Sequence, residues 1–160
     1  MIEIKNIHKS YGTLEVLKGI DLIIPEHKIV SITGASGAGK STLLHILGTL
    51  DLPENGEVLY DNQNVAQFSQ NRLAAFRNQN IGFVFQFFAL IPTLTAYENV
   101  EMPLLLNGTK PAQRKARVNE MLEAVGLTDR AHHRPDQLSG GQQQRVAVAR
   151  AIATNPKLIL

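Results

Sequence analysis

No cysteine occurs among the 160 residues, so a disulfide framework is excluded, and the composition fits a reducing compartment without requiring one. Long hydrophobic runs are missing too. No apolar stretch approaches the roughly 18 to 20 residues that a membrane-spanning helix needs. The opening Met1-Ile2-Glu3-Ile4-Lys5 lacks the charged-then-apolar pattern of a secretion signal. A dominant charge is also lacking: 16 basic residues stand against 14 acidic ones, for a net charge of +2. Lys and Arg are scattered, so the pI of about 9.0 reflects a small imbalance and gives no support to nucleic-acid binding. Neither an internal repeat nor a low-complexity segment is present. A hydrophobic content of 44% is ample for a core, and the length allows one domain at most. The expectation is a cytoplasmic protein that reaches a membrane only through a partner.

What is present is concentrated in two short stretches. The first is Gly34-Ala35-Ser36-Gly37-Ala38-Gly39-Lys40-Ser41-Thr42. Before it, Lys28-Ile29-Val30-Ser31-Ile32-Thr33 is short, β-branched and apolar, and reads as a buried strand. After it, Lys40 to about Thr49 reads as a helix with Leu43, Leu44, Ile46 and Leu47 as its apolar face. Strand, glycine-rich turn and helix in that order are the context of a phosphate-binding loop. Glycine lets the backbone take positive φ and approach phosphate oxygens with no Cβ between. The freed N–H groups and the positive end of the helix then converge on the anion. Lys40 is expected to reach the β- and γ-phosphates, and the Ser41 hydroxyl to ligate Mg²⁺.

The second stretch is Leu138-Ser139-Gly140-Gly141-Gln142. The alanine-rich segment Gln143 to Thr154 that follows it reads as helical, which places Gly140 and Gly141 at a helix N-terminus with Ser139 as an added donor. One chain thus carries two phosphate-facing helix starts, whereas a single nucleotide needs one. The economical reading is that the second serves the nucleotide of a partner. The duller alternative is a helix cap with two flexible glycines.

With these motifs the sequence resembles, over essentially its whole length, the nucleotide-binding domain of an ATP-binding cassette (ABC) transporter. Ser10-Tyr11-Gly12 and Val16-Leu17-Lys18-Gly19-Ile20-Asp21-Leu22 match the family's opening, and Leu138 to Gln142 match its signature. The resemblance implies that Tyr11 stacks on adenine, and that Gln86, after Ile81-Gly82-Phe83-Val84-Phe85, contacts Mg²⁺ or the attacking water. It also implies that the Gln86 loop transmits nucleotide state to a membrane subunit. Its cofactors are ATP and Mg²⁺, and its assembly is a head-to-tail dimer. Each ATP then lies between one copy's Gly34–Thr42 and the other's Ser139, Gly140, Gly141 and Gln142. Taken alone, Tyr11 would be an ordinary turn aromatic and Gln86 a solvated strand end. His132-His133 is read as a solvated loop, since no cysteine and no carboxylate beyond Asp129 and Asp136 accompanies it. His45 is read as a polar packing or surface residue.

The coarse path has strands near 2–7, 16–24 and 28–33, a turn at Pro53-Glu54-Asn55-Gly56, and a strand at 57–60. A short helix near 70–76 precedes a strand at 81–85. Helices follow near 96–106, 111–125 and 142–154, and a last strand at 157–160. The fold expected is α/β, a P-loop NTPase core with an antiparallel β layer and a helical, signature-bearing subdomain. It forms a single nucleotide-binding domain, 1–160, with a helical insertion at about 90–140. In the family the last strand, the Walker B strand, ends in an Asp-Glu pair that holds Mg²⁺ through water and activates the attacking water. Lys157–Leu160 resembles that strand cut just short of its acids. The chain is therefore expected to be a fragment that keeps the triphosphate cradle without useful turnover by itself.

The segment Phe85 to Ala96, with Glu98-Asn99-Val100 and Met102-Pro103-Leu104, is unusually apolar for a loop. It is expected to receive a short helix of an integral-membrane permease near Phe85–Leu94, which would make the protein peripheral on the inner face of the cell membrane. This wording, with Gly48-Thr49-Leu50-Asp51, is similar to the ATP-binding subunits of the lipoprotein-releasing and macrolide-exporter group. Those subunits commonly carry histidines where this chain has Phe88 and Ala89. The alternative is a soluble ABC ATPase acting on ribosomes or DNA. The paired cassettes or long arms usual there are absent from this chain.

Overall fold

Alternation of Ile2, Ile4 and Ile7 with polar residues makes the first strand, β1 (Ile2–Tyr11), one face of which is buried. The apolar spacing changes between Ile4 and Ile7 because Asn6 takes a positive φ of 48° and the pairing register shifts there. A two-residue turn at Gly12-Thr13 returns the chain into β2 (Leu14–Ile24), antiparallel to β1 with Tyr11 opposite Leu14. Strand β3 (Asn55–Tyr60) pairs with the other edge of β1, and a tight turn at Asp61-Asn62, both with positive φ, leads into β4 (Gln63–Asn64). The sheet order is β2-β1-β3-β4, which is the expected antiparallel layer.

The computed structural model describes residues 1–160, and they form two compact units, Met1–Leu73 and Ala74–Leu160. In the first, helix α1 (Lys40–Leu47) follows the phosphate-binding loop and buries Leu43, Ile46 and Leu47. The buried Tyr60 hydroxyl of β3 donates to the Leu47 carbonyl at 2.6 Å, satisfying one of the carbonyls that a helix end leaves unpaired.

One expectation fails in this unit. Residues 28–33 are not a strand; they belong to neither sheet, and Ile29 is fully exposed. An apolar β-branched run states a preference for burial on both faces. It becomes a strand only when neighbouring strands supply hydrogen bonds, and no strand here pairs with it.

Helix α2 (Gln70–Asn80) runs across the division and is four residues longer than expected. In the second unit β5 (Ile81–Gly82) pairs in parallel with β6 (Leu158–Ile159). The expected strands 81–85 and 157–160 shorten to these two-residue cores, although Val84 N–H still donates to the Leu160 carbonyl and Leu160 N–H to that of Gly82. Helices α3 (Ala96–Leu106), α4 (Pro111–Ala124) and α5 (Gly140–Ile152) share one core. Ala96, Val100 and Leu104 meet Val118, Met121 and Leu122, and close on Val146, Ala149 and Ala153. The alanines of α5 let its neighbours approach closely. Pro111 starts α4 where its missing N–H costs nothing. The Arg117 guanidinium donates to the carbonyls of Ile152 and Ala153, filling the end of α5.

Candidate functional site

The loop from Gly34 to Gly39 is exposed except at Gly39, and φ is positive at Gly34, Gly37 and Gly39. Gly39 has no freedom to be anything else. Its φ is +82°, and a Cβ there would meet Leu17 Cδ2 at 2.8 Å and Val16 Cγ1 at 3.0 Å. This glycine is also the N-cap of α1, and no side chain caps the helix. The first-turn N–H groups therefore have no side-chain acceptor, which is the condition for binding an oxyanion. Lys40 Nζ donates to the carbonyls of Gly34 at 2.9 Å and Ala35 at 2.6 Å, so the ammonium lies over the loop. Ser41 is exposed beside it, and Thr42 is half-buried.

Tyr11 closes β1 and is 50% exposed, so its ring is open to a ligand. Its hydroxyl donates to Asp51 Oδ2 at 2.9 Å, and that bond holds the phenol above its ordinary pKa. Burial pushes the Asp51 carboxyl up, but hydrogen bonds from Lys9, Tyr11 and the Leu52 N–H outweigh it and hold the group below the usual carboxylate range. No role for Asp51 is legible in the wording Gly48-Thr49-Leu50-Asp51, because nothing in it shows that the residue meets a tyrosine forty residues earlier.

In the second unit the Leu138–Gln142 stretch begins α5 earlier than expected, at Gly140 instead of 142. A capping box accounts for the difference. Ser139 Oγ accepts from the Gln142 N–H at 3.3 Å, and Gln142 Oε1 accepts from the Ser139 N–H at 2.8 Å. That closure draws both glycines into the first turn. Ser139, Gly140 and Gly141 are exposed, and a Cβ on either glycine would meet nothing within 4 Å. Nothing inside the chain requires glycine at these two positions.

Gln86 lies in an exposed turn after β5. Around it Phe87 is 84% exposed, Phe85 and Ile91 are partly so, and the Phe83 and Phe85 rings stack at 5.5 Å. Phe88 and Ala89 both take positive φ, and Arg150 of α5 donates to their carbonyls at 2.8 and 2.6 Å. Buried Asn99 holds the rest of the loop: its amide nitrogen donates to the carbonyls of Ile91, Leu94 and Thr95, and its oxygen accepts from the Ile91 N–H. The sequence assigns no role to Arg150 or Asn99, since each lies among other polar residues of its helix and its partners are set by the fold. His132 is exposed, His133 Nε2 lies 3.1 Å from Arg130 Nη1, and no group of three His, Cys, Asp or Glu could hold a metal ion.

A glycine-rich loop closed by Lys-Ser-Thr at the head of an uncapped helix defines a P-loop nucleotide-binding fold of α/β class. Here it stands beside an antiparallel sheet, and the second unit carries a helical, signature-bearing core. The chain belongs to the ABC transporter family, whose model matches residues 17–160. It is 54% identical over 160 residues to the lipoprotein-releasing system ATP-binding protein LolD of Bacteroides thetaiotaomicron, covering all of this chain and 73% of that protein. An uncharacterized ABC transporter ATP-binding protein of Thermotoga maritima is 51% identical over 164 residues, covering all of this chain and 70% of that one. Among solved structures, the dimeric post-hydrolysis state of the ATP-binding cassette MJ0796 bound to ADP and Pi superposes with a TM-score of 0.91. It shares 47% identity and covers 99% of this chain and 72% of that one.

Proposed function

We propose that residues 1–160 form one nucleotide-binding domain, with its helical insertion at about 90–140, of a subunit that binds and hydrolyses ATP to power an ABC transporter of the lipoprotein-releasing type, and that these residues by themselves hold the triphosphate without useful turnover. The observation that carries the reading is the pair of glycines Gly140 and Gly141, which open into free space at the head of a capped helix. Their purpose lies outside the monomer, and the MJ0796 cassette, which is a dimer bound to ADP and Pi, supports a second copy as that outside partner.

Adenine stacks on the exposed ring of Tyr11. The phosphates lie along Gly34, Ala35, Ser36, Gly37, Ala38 and Gly39 and on the first N–H groups of α1, including those of Ser41 and Thr42. Lys40 exchanges its two carbonyl partners for β- and γ-phosphate oxygens and neutralises charge that grows as the bond to the γ-phosphoryl breaks. Ser139, Gly140, Gly141 and Gln142 of a second copy close on the γ-phosphate from the other side, aligning it and excluding bulk water. Gln86 orients the attacking water through its side-chain amide.

A cation that arrives with the triphosphate and keeps most of its water would find one neutral oxygen on Ser41, and the family resemblance assigns Gln86 the same role. Mg²⁺ supplies charge neutralisation of the phosphate oxygens when bound.

Membrane coupling runs through the Gln86 loop. Exposed Phe85, Phe87 and Ile91 form the apolar surface that suits a short helix of a permease. No helix is long and apolar enough to cross a membrane, and docking on the permease would hold the subunit at the cytoplasmic face. The relatives named for lipoprotein release support that cargo class.

Two variants test the scheme by nucleotide titration and by sedimentation with ATP. Lys40→Ala weakens nucleotide binding by about tenfold or more. Ser139→Arg leaves binding by one copy intact and blocks ATP-driven pairing. Intact binding in the first, or intact pairing in the second, refutes it.

A further inference from the structure

Tyr11 is tied to the segment that follows the phosphate-binding helix by Asp51. Its hydroxyl donates to Asp51 Oδ2 at 2.9 Å. The other oxygen, Oδ1, accepts from Lys9 Nζ at 2.8 Å and from the Leu52 N–H at 2.7 Å. Lys9 Nζ also donates to the Leu52 carbonyl at 2.9 Å, and it lies over the Tyr11 ring, 5.4 Å from the centroid. The backbone at this point follows α1 and is anchored to its last turn: the N–H groups of Leu50 and Asp51 donate to the His45 carbonyl at 2.8 and 3.3 Å. The segment after the helix that starts at Lys40 therefore presents a carboxylate to the tyrosine.

We propose that Asp51 is a positioning residue for the nucleobase, orienting the Tyr11 ring at a set place relative to the phosphate-binding loop while Lys9 covers one ring face and leaves the other for the base. The proposal rests on the reading that Tyr11 stacks on adenine. A half-exposed tyrosine side chain left to itself exchanges rotamers within nanoseconds, and ordering it on binding reduces affinity. The Asp51 hydrogen bond orders the ring beforehand, which is preorganisation in the ordinary sense. The lysine contributes in two ways. Its ammonium fixes the carboxylate, and its position over the ring adds a cation–π attraction that holds the ring flat. The tyrosine hydroxyl is engaged by Asp51 and also interacts with the Thr42 side chain, so the ring offers the ligand a face and no free polar handle.

The experiment measures binding of two probes to the full chain by calorimetric titration: ATP, which has a base, and inorganic tripolyphosphate, which has none. Tyr11→Phe keeps the ring and removes its tether. Asp51→Ala removes the tether from the other side. Each is expected to lower ATP affinity by about two- to tenfold, with tripolyphosphate affinity unchanged. The double variant falls no further than the weaker-binding single one, because both remove the same interaction. Asp51→Asn keeps an acceptor for the hydroxyl and recovers ATP affinity.

Equal losses for both probes, additive effects in the double variant, or unaltered ATP affinity in Tyr11→Phe would each overturn the role of Asp51. Tyr11→Phe leaves the Lys9–Asp51 pair in place, so it remains informative even if Asp51→Ala does not fold. Tyr11→Ala separates the two levels of the argument. If it leaves ATP affinity intact, the stacking reading itself is wrong. If it weakens ATP binding while Tyr11→Phe does not, stacking stands and the tether fails.

Discussion

Two helices in this molecule begin with glycine, and they begin in opposite ways. At the head of α1, Gly39 sits at φ +82° with Leu17 and Val16 against the place a side chain would take, and no side chain caps the turn. At the head of α5, Gly140 and Gly141 have ordinary φ and open space, and Ser139 and Gln142 close a reciprocal cap. In the first, glycine is demanded by the chain's own backbone and packing, and the helix donors are left without side-chain acceptors. In the second, nothing within 4 Å in the chain demands glycine, and the reason for it would lie with the proposed partner copy. A glycine-rich motif can therefore mark a site that the fold builds for itself or a surface kept bare for another molecule, and the two should respond differently to substitution.

The sharpest break in that comparison is Gly39→Val. A β-branched residue at positive φ, pressed on Leu17 and Val16, should lower the unfolding free energy by roughly 2–4 kcal/mol. A urea titration measures it. A small change would mean that the loop moves easily and that its geometry is not forced. At the other helix, Ser139→Ala removes one arm of the cap and should cost about 1 kcal/mol, read from the same titration. Gly141→Ala should go the other way. Alanine is a better helix former than glycine and meets nothing here, so stability should rise by about 0.5–1 kcal/mol while ATP-driven pairing of two copies weakens. A stabilised variant with unimpaired pairing would remove the argument that these glycines serve a partner.

The same contrast explains what could be read from the sequence. The phosphate-binding loop was legible because its constraints are local: a positive φ, a following helix and a lysine at fixed spacing. The helices of the second unit were legible from periodicity, and α3 was found at its observed bounds despite Pro103 inside it. Residues 28–33 were misread because a strand is a property of a pair, and the apolar run said nothing about whether neighbours would be there to bond it. Asp51 and Arg150 were invisible for a related reason. Asp51 matters through Tyr11, forty residues before it, and Arg150 through the carbonyls of Phe88 and Ala89, more than sixty residues before it. Sequence displays spacing along the chain, and these residues act across it. The bare glycines of α5 are the instructive middle case, since the motif was legible while its openness needed coordinates.

A milder contrast sits between α3 and α5, both of which start with a capping box. In α3, Thr95 Oγ1 accepts from the Glu98 N–H at 3.2 Å, and the Glu98 carboxylate accepts from the Thr95 N–H at 2.7 Å and its hydroxyl at 2.8 Å. In α5 the reciprocal acceptor is the Gln142 amide, which does not titrate. The hydrogen bond from the Thr95 backbone, then that from its hydroxyl, holds the Glu98 carboxyl below its ordinary value. A group with a depressed folded-state pKa contributes stability at pH above its unfolded value, and the contribution is lost as pH falls through the folded one. Acid titration followed by amide NMR should therefore disturb the Thr95 N–H in the range below about pH 4.3, while the Ser139 N–H stays put. The effect is small because Glu98 is fully solvated, so the readout is the position of each amide signal, not global stability. If both amides moved together, the two caps would not be independent devices. The loop bonded to Asn99 just before α3 would then share its acid response with the start of α5.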